Sequence, residues 1–234
     1  MKVFLVNLDR DKAKLVSATS QLDRLGVAFE RLAAVSGRDL SVSEKLHAVN
    51  RFRWWCAIGV PARDAEIGCA LSHYSGYRKM AAGAIACFLE DDVVLSERFP
   101  HALAEIESWM AVDRPQVVIL SDRTCQYGER RVHGIVRSSY GLCTDAYVIN
   151  ASAAAALLRA NLPLQRPCDH WARWAGRGLI ELYHYVPSVA EQDQATFGTS
   201  TQTGVVPISD WSFLRRVAHK LKRLIGKPMD RMLP

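Results

Sequence analysis

The sequence predicts an α/β fold with a mostly parallel central sheet flanked by helices, and two stretches lead to this class. Residues 84–89 form an apolar run without polar alternation, which is typical of a strand buried on both faces, as in a parallel sheet. Residues 3–35 show the pattern of a strand, a helix and a second strand, which places the two strands parallel in one sheet. The 234 residues, 49% hydrophobic and 23% charged, can bury the core that such a domain needs.

The first strand–helix–strand unit is defined by its apolar spacing. Strands are predicted over 3–8 and 28–35. Between them, apolar residues recur at helical intervals over 11–25, and Gly26 is the residue type that most often follows the end of a helix. The unit therefore supplies the first two strands and the first helix of the sheet.

An acidic triplet at 90–92 follows the apolar run directly. If that run is a third parallel strand, the triplet meets Asn7 and residues 34–37 at the carboxyl edge of the sheet, where open α/β folds bind nucleotides. Three carboxylates close together repel one another unless a cation relieves them, which indicates a hard divalent ion with a phosphate ligand behind it. The alternative is a solvated turn or a group of helix-capping residues.

The rest of the chain continues the alternation of helices and strands. Ser41 and Glu44 fit a capping box and start a short helix. Residues 51–63 mix aromatic residues and arginines with a glycine and a proline, which predicts an irregular loop and a candidate lid. Further helices are predicted over 64–80, from 100, over 151–160 and after 170; further strands over 116–120, 146–149 and 179–186; and a rim loop or β-hairpin over 123–140.

Charge and composition divide the chain into three parts. Residues 1–192 form the predicted catalytic-type domain, and residues 193–210, rich in Gly, Ser and Thr, a flexible linker. Residues 211–234 hold seven Lys or Arg against one Asp, so this segment accounts for the whole formal net charge of +6. Because the main domain is neutral by count, a nucleic-acid-binding face on it is not expected.

Cysteine usage and hydropathy restrict the protein class further. The six cysteines are scattered singly without a CxxC pair, so neither a zinc ribbon nor a thioredoxin-type site is indicated. No stretch approaches the roughly 18 apolar residues of a membrane span, and the N-terminus does not resemble a signal peptide. We therefore expect a cytoplasmic protein with reduced thiols.

The chain carries short motifs in a fixed order. They are NLDR at 7–10, AVSG at 34–37, EIGCALSH at 66–73, LEDDV at 89–93, AYVI at 146–149, PCD at 167–169 and the segment 187–192. Their order and spacing over about 3–192 resemble glycosyltransferase family 25, the lipooligosaccharide galactosyltransferases and their collagen-modifying relatives. The resemblance implies a GT-A-like fold, a UDP-sugar donor, usually UDP-galactose, and a divalent cation, usually Mn²⁺. It also implies inverting transfer to a saccharide or lipid-linked oligosaccharide acceptor in lipopolysaccharide biosynthesis.

The resemblance assigns roles to individual residues. Asp92 is the expected main metal ligand with Glu90 in support, and Asp91 is expected to bond the ribose or sugar of the donor. Ser72 and His73 would touch the diphosphate or support the triplet, although a lone histidine beside a core-facing stripe is more often structural. The uridine end of the donor site would be lined by Asn7, Leu8, Arg10, Ala34, Val35 and Gly37.

An inverting transfer needs a general base on the acceptor hydroxyl, opposite the leaving group. Asp169, after a proline-containing turn, is the candidate, and its alternative role is the N-cap of the short helix that follows. His184 and Gln192 are further candidates for the metal or sugar environment. Three functions remain open on the sequence: a transferase, a catalytically silent sugar-nucleotide-binding or scaffold protein of the same fold, and a less favoured metal-dependent phosphoester hydrolase.

Residues 211–227 form a predicted basic amphipathic helix, with apolar residues on one face and Lys or Arg on the other. Such a helix lies in an anionic membrane interface, which would place the enzyme peripherally on the cytoplasmic face of the inner membrane. The alternative is a helix docked on the main domain.

Removal of residues 211–234 should therefore reduce binding to anionic liposomes and leave activity towards soluble acceptors. High salt should weaken binding of the full chain to the level of the truncated one, since lipid attraction is electrostatic. A sedimentation assay checks this, and equal binding by both chains would refute the membrane assignment.

Overall fold

The computed structural model describes residues 1–121 and 133–197. Within these residues, seven strands form one sheet in the order β2-β1-β3-β7-β5-β8-β6, and β4 and β9 form a separate two-stranded ribbon. The strands are β1 Lys2–Asn7, β2 Glu30–Ala33, β3 Ile85–Glu90, β4 Val93–Leu95, β5 Gln116–Ile119, β6 Gly134–Arg137, β7 Ala146–Asn150, β8 Glu181–Val186 and β9 Ala190–Gln192.

Strand directions confirm the predicted α/β class with a mostly parallel sheet. β1 runs parallel to both β2 and β3, and β5 runs parallel to β8. β7 lies between β3 and β5 and is antiparallel to both, and β6 is antiparallel to β8 at the edge. A single reversed strand therefore separates two parallel blocks of the sheet.

Strand register brings the predicted polar segments to one edge. Asn7 pairs with Ala33 and Val6 with Glu90, so β1, β2 and β3 end side by side, as predicted. Because β7 is reversed, it is the beginning of β7 that lies at this edge, where Ala146 pairs with Leu89. The residues just before β7 therefore join the residues just after β1, β2 and β3.

Helices cover both faces of the sheet and bury it. One face packs against α1 and α5 through residues such as Leu22 and Ile106, and the other against α3, α4, α6 and α7 through residues such as Trp54 and Trp171. Burial on both faces is why β3 reads as an unbroken apolar run. The helices are α1 Lys12–Arg24, α2 Val42–Ala48, α3 Arg51–Ile58, α4 Asp64–Arg78, α5 Phe99–Trp109, α6 Ala151–Asn161, α7 Trp171–Gly176 and α8 Gln194–Phe197.

Residues 51–63 differ from the prediction of an irregular loop and lid, because most of them form α3. The Asn50 side chain caps the helix by accepting a hydrogen bond from the Arg53 amide at 3.1 Å, and Gly59 ends it in the left-handed conformation. Trp54 is 1% exposed and belongs to the core. Burial of this indole anchors the helix in the core, so the prediction of an irregular loop is wrong.

Other boundaries follow the sequence pattern. Ser41 and Glu44 form the predicted capping box at the start of α2. The rim segment 123–140 contains β6, and its residues up to 132 lie outside the described part of the chain. The predicted linker at 193–210 begins with α8. The rest of the linker and all of the predicted basic helix at 211–227 lie outside the described residues. Within the described residues, no helix is long and apolar enough to cross a membrane.

Candidate active site

Asn7 and Asp91 form the centre of the polar edge. Asn7 Nδ2 donates a hydrogen bond of 2.6 Å to Asp91 Oδ2, and both side chains are buried. Arg31 Nε in turn donates to Asn7 Oδ1 at 3.0 Å, which fixes the orientation of the amide. The end of β1 thus holds the carboxylate that follows β3.

Lys14, on the first turns of α1, supplies positive charge to the acidic pair. Its Nζ lies 3.2 Å from Asp92 Oδ2 and 3.6 Å from Asp91 Oδ1. Gln192 Nε2, at the end of β9, donates to the same Asp92 oxygen at 3.1 Å. Two carboxylates therefore share one ammonium, which leaves a net negative charge in a largely buried place.

Burial and charge act together on the ionisation of this pair. Burial raises the pKa of Asp91 to about 6, with Asn7 and Lys14 acting in the opposite direction. Burial likewise raises the pKa of Asp92, and the negative charge of Glu90 adds to this. For Lys14, burial acts to lower the pKa, but the charges of Asp92 and Asp91 outweigh it, so the pKa is raised and the amine stays protonated.

One oxygen of the acidic pair is available to a cation. Among the residues that the structure describes, no hydrogen-bond donor reaches Asp92 Oδ1, although it is buried. An unsatisfied buried carboxylate oxygen is costly, and a hard divalent ion prefers oxygen ligands of this kind. The Asp91–Asp92 pair therefore fits the divalent cation that the sequence predicted.

Glu90 faces a different set of side chains. Its Oε1 accepts a hydrogen bond from the Thr144 hydroxyl and lies 3.4 Å from His73 Nε2 and 3.9 Å from Cys69 Sγ. Burial acts to raise the pKa of Glu90, but the hydrogen bond and charge of His73 and the bond from Thr144 outweigh it, so the pKa is lowered. The structure thus separates Glu90 from the oxygens of Asp92 that face Lys14.

His73 is held inside this second group. Its Nδ1 lies 2.7 Å from the Tyr147 hydroxyl, which is itself 2.7 Å from the Tyr77 hydroxyl. Burial acts to lower the pKa of His73, but Cys69 and Glu90 raise it to about 9. At neutral pH the imidazolium and the Glu90 carboxylate form a buried ion pair, so His73 supports the triplet from behind.

The predicted donor loop at 34–37 is fixed against α4. The Val35 amide donates to Ser72 Oγ at 2.8 Å, and Ser72 Oγ donates to the Gly68 carbonyl at 2.6 Å. Gly37 and Gly68 allow this approach: a Cβ at Gly37 would lie 1.8 Å from the Asp64 carbonyl oxygen, and one at Gly68 would lie 2.6 Å from the Val35 carbonyl oxygen. Close backbone contacts therefore hold the loop against α4.

Arg10 and Leu8 lie beside the same loop. The Arg10 guanidinium is exposed and donates to Ser36 Oγ at 3.1 Å, and Leu8 is half-buried after the end of β1. Ala34 is tied to β1 by a hydrogen bond of 2.9 Å from its amide to the Asn7 carbonyl. The predicted donor-binding residues at 7–10 and 34–37 therefore lie next to one another.

Asp169 lies on the other side of the Glu90 group. Its Oδ2 accepts a hydrogen bond of 3.2 Å from the Cys143 amide. The N-cap of α7 is His170, which makes no side-chain capping bond, so the alternative role of Asp169 as a helix cap does not apply. Cys168 Sγ is 3.8 Å from Cys69 Sγ, which brings the turn carrying Asp169 to α4.

Gln192 and His184, the further candidates for the metal or sugar environment, have different surroundings. Gln192 contacts Asp92 directly, as described above. His184 lies inside the sheet on β8, in register with Ile119 and Val136. Burial lowers the pKa of His184 to about 4, so its ring is neutral at physiological pH.

Several residues of the site were missed by sequence reasoning. Lys14 and Arg31 gave no local signal, because their contacts bridge 78 and 24 residues of sequence. Thr144 and Asp145 were missed because β7 is reversed, although the polar residues before the apolar run at 146–149 were a usable sign. The Asp145 carbonyl accepts from the Glu90 amide at 2.8 Å, and its side chain accepts from the Ser121 hydroxyl at 3.0 Å.

The sequence profile of glycosyltransferase family 25, described as an LPS biosynthesis protein, matches residues 1–172. The chain belongs to glycosyltransferase family 25. This confirms the family that the motifs at 7–10, 66–73 and 89–93 indicated, and it shows a glycosyltransferase. In this family member, the acidic motif is divided between the Asp91–Asp92 pair and the separate Glu90 group.

Known relatives match the same part of the chain. Procollagen galactosyltransferase 1 of Danio rerio is 26% identical over 194 residues, which cover 73% of this chain and 30% of the relative. Inactive glycosyltransferase 25 family member 3 of Mus musculus is 27% identical over 188 residues, which cover 73% of this chain and 31% of the relative. This chain therefore spans less than a third of the length of these relatives.

A solved structure of the galactosyltransferase LgtC, in complex with donor and acceptor sugar analogs, is similar over 97% of this chain and 95% of that chain. The sequence identity is 11% and the TM-score is 0.46.

Replacing Lys14 by Met should destabilise the protein more at pH 8 than at pH 5. The folded pKa of Asp91 lies above its unfolded value, so ionised Asp91 costs folding free energy, fully above about pH 6 and less as the pH falls below it. Without the ammonium this cost grows, and we expect a loss of about 2 kcal/mol or more at pH 8. Urea midpoints at both pH values measure it.

The control is Lys12→Met, an exposed lysine on the same helix, which should change stability little at either pH. An equal loss for Lys14→Met at pH 5 and pH 8 would show that Lys14 does not stabilise the ionised pair.

Proposed function

We propose that this family 25 member transfers galactose from UDP-galactose to a saccharide acceptor with inversion. The transfer would use a divalent cation, which we expect to be Mn²⁺. The observation that carries the proposal is the Asp91–Asp92 pair, with the buried and unpartnered Oδ1 of Asp92, at the sheet edge beside Asn7. A negatively charged site next to a loop that is held closely against α4 suits a metal-bound diphosphate better than an uncharged ligand.

Donor binding is assigned to the wall formed by residues 7–10 and 34–37. The Val35 amide is already bonded to Ser72, so this loop is rigid before a ligand arrives. The exposed guanidinium of Arg10 is placed to meet the nucleotide end, and Asp91, oriented by Asn7, is placed to accept a hydrogen bond from a sugar or ribose hydroxyl. The donor would then lie across the ends of β1 and β3.

Asp92, with Asp91 beside it, would hold the cation. A bound divalent ion would supply positive charge to the diphosphate, which makes UDP a better leaving group. Lys14 contributes a fixed positive charge at the same place and favours the ionised form of both carboxylates. The Glu90 carboxylate is hydrogen-bonded to Thr144 and paired with His73, so Glu90 would position the Asp91–Asp92 pair through the backbone that joins them.

Asp169 is assigned the role of general base. Its carboxylate would accept the proton of an acceptor hydroxyl while that oxygen attacks the anomeric carbon, and the bond from that carbon to UDP breaks on the opposite face. The Cys143 amide bonds only one carboxylate oxygen, Oδ2, and so orients the group without using its whole accepting capacity. Attack from the face opposite the leaving group gives inversion.

The sugar and its destination are proposed from the names of related proteins. Galactose is suggested by the name of the Danio rerio relative, of which this chain spans 30%, and the family description names LPS biosynthesis. We propose a lipooligosaccharide or lipopolysaccharide acceptor, presented at the cytoplasmic face of the inner membrane with help from residues 211–227. The rival function is a catalytically silent sugar-nucleotide-binding protein, since a Mus musculus relative is named as inactive.

A release assay tests the proposed function. The full chain is incubated with UDP-galactose, UDP-glucose or the N-acetylated analogues, with Mn²⁺ and an oligosaccharide acceptor, and released UDP is measured. We expect release that is fastest with UDP-galactose, needs acceptor and is abolished by EDTA. Binding of UDP-sugars without any release would favour the silent protein, and release unaffected by EDTA would refute the role of the cation.

The base assignment predicts the behaviour of Asp169→Asn. Transfer should fall about 10²- to 10⁴-fold, because an amide cannot take the proton, whereas UDP binding should be unchanged. Asp23→Asn, at an exposed position of α1, is the control and should keep full activity. Normal transfer by Asp169→Asn with intact UDP affinity would assign the base to another group.

A further inference from the structure

Four metal-ligating side chains meet behind the acidic pair. Cys69 and His73 lie one helical turn apart on α4 and so share a face. Glu90 is the last residue of β3, and Cys168 precedes the turn that carries Asp169. The candidate ligand atoms of Cys69, His73 and Glu90 all lie within 4.8 Å of one another, and Cys168 Sγ is 3.8 Å from Cys69 Sγ.

The spacing of the Cys69, His73 and Glu90 ligand atoms is close to that of a tetrahedral metal site, and the Cys168 sulfur lies beside the Cys69 sulfur. Zinc with bonds of about 2.3 Å to sulfur and about 2.0–2.2 Å to nitrogen or oxygen separates neighbouring ligand atoms by about 3.3–3.8 Å. The observed separations are 3.4 Å from His73 Nε2 to Glu90 Oε1, 3.9 Å from Cys69 Sγ to Glu90 Oε1, and 3.8 Å between the two sulfurs. A cation held by Cys69, His73 and Glu90 would draw the Cys168 sulfur, 3.8 Å from that of Cys69, towards the fourth position.

Neighbouring groups already orient the ligands. The Tyr147 hydroxyl holds His73 Nδ1, which turns Nε2 towards Cys69 and Glu90. The Thr144 hydroxyl donates to Glu90 Oε1 and lies 3.4 Å from Cys69 Sγ. Metal-binding histidines and carboxylates are usually fixed by outer hydrogen bonds of this kind. Neither Cys69 nor Cys168 is in a disulfide, so both thiols are available.

We propose that Cys69, His73, Glu90 and Cys168 bind a zinc ion, at a site separate from the Asp91–Asp92 pair. Two thiols and an imidazole select a borderline-soft cation such as Zn²⁺ over Mn²⁺ or Mg²⁺, which prefer oxygen ligands. Binding releases the protons of the two thiols and the Nε2 proton of the His73 imidazolium to solvent, as two sulfur–zinc bonds and one nitrogen–zinc bond form. The ion would join α4, the end of β3 and the turn before Asp169, and so fix the acidic pair relative to the general base.

Cobalt is the probe, because Co²⁺ takes the place of Zn²⁺ and is coloured. The tag-free, reduced full chain is stripped with a chelator and titrated with Co²⁺ while absorbance is recorded. We expect one thiolate-bound Co²⁺ per chain, a near-ultraviolet thiolate-to-cobalt band, intense visible bands of tetrahedral cobalt, and loss of all three on addition of Zn²⁺. Zn²⁺ should also raise the melting temperature of the stripped protein.

Variants identify the ligands. Cys69→Ser and Cys168→Ser should each lower the thiolate band by about half or remove it, and His73→Gln should leave the sulfur band but change the visible bands. Cys56→Ser, on α3 and away from the cluster, is the matched control and should bind as the unaltered chain does. Near-ultraviolet circular dichroism of each stripped variant establishes that it is folded.

Three results would overturn the proposal. One is a weak, octahedral cobalt spectrum without a thiolate band in the unaltered chain. Another is a thiolate band that persists in the Cys69→Ser and Cys168→Ser variants. The last is loss of both thiols to a disulfide between Cys69 and Cys168 in air, at the same rate with and without Zn²⁺. None of these readouts measures sugar transfer, so the zinc site and the proposed function can fail independently.

Discussion

The structure depends on keeping two ionised carboxylates in a buried place. Asp91 and Asp92 follow a fully buried strand, where burial raises the pKa of both. Asn7, Lys14 and Gln192 reduce this cost from three different elements, but one oxygen of Asp92 stays unsatisfied among the described residues. A cation would neutralise the remaining negative charge and in turn attract the diphosphate, so the cost to stability is the source of the proposed affinity.

A second polar layer lies behind this pair. His73 and Glu90 form a buried ion pair, and a hydrogen bond from Cys168 lowers the pKa of Cys69 to about 7. Buried charges are retained only where partners are close and well oriented, and here Tyr147 and Thr144 provide that orientation. The division of the acidic triplet between two layers gives its members different roles: Asp91 and Asp92 face the ligand edge, and Glu90 faces the helix.

Much of the fold could be predicted from periodicity. The apolar run before Glu90 and the spacing of residues 3–35 were enough for the parallel β1–β2–β3 block, and Asn7 and residues 34–37 followed from where those strands end. Residues 51–63 were misread because arginines and a glycine hide the burial of Trp54, which depends on the surrounding core. Thr144 was missed because local pattern does not give the direction of a strand, and β7 is reversed.

The sequence by itself determined the family, the α/β class and those polar residues that follow β1, β2 and β3 at the carboxyl edge, because motif order and apolar periodicity are local properties of the chain. Tertiary structure alone decided which of those residues meet. Lys14 with Asp92, Glu90 with His73, and Cys69 with Cys168 are contacts across distant parts of the chain. They depend on strand direction and helix packing, which arise from burial of the whole core and leave no pattern in any single segment.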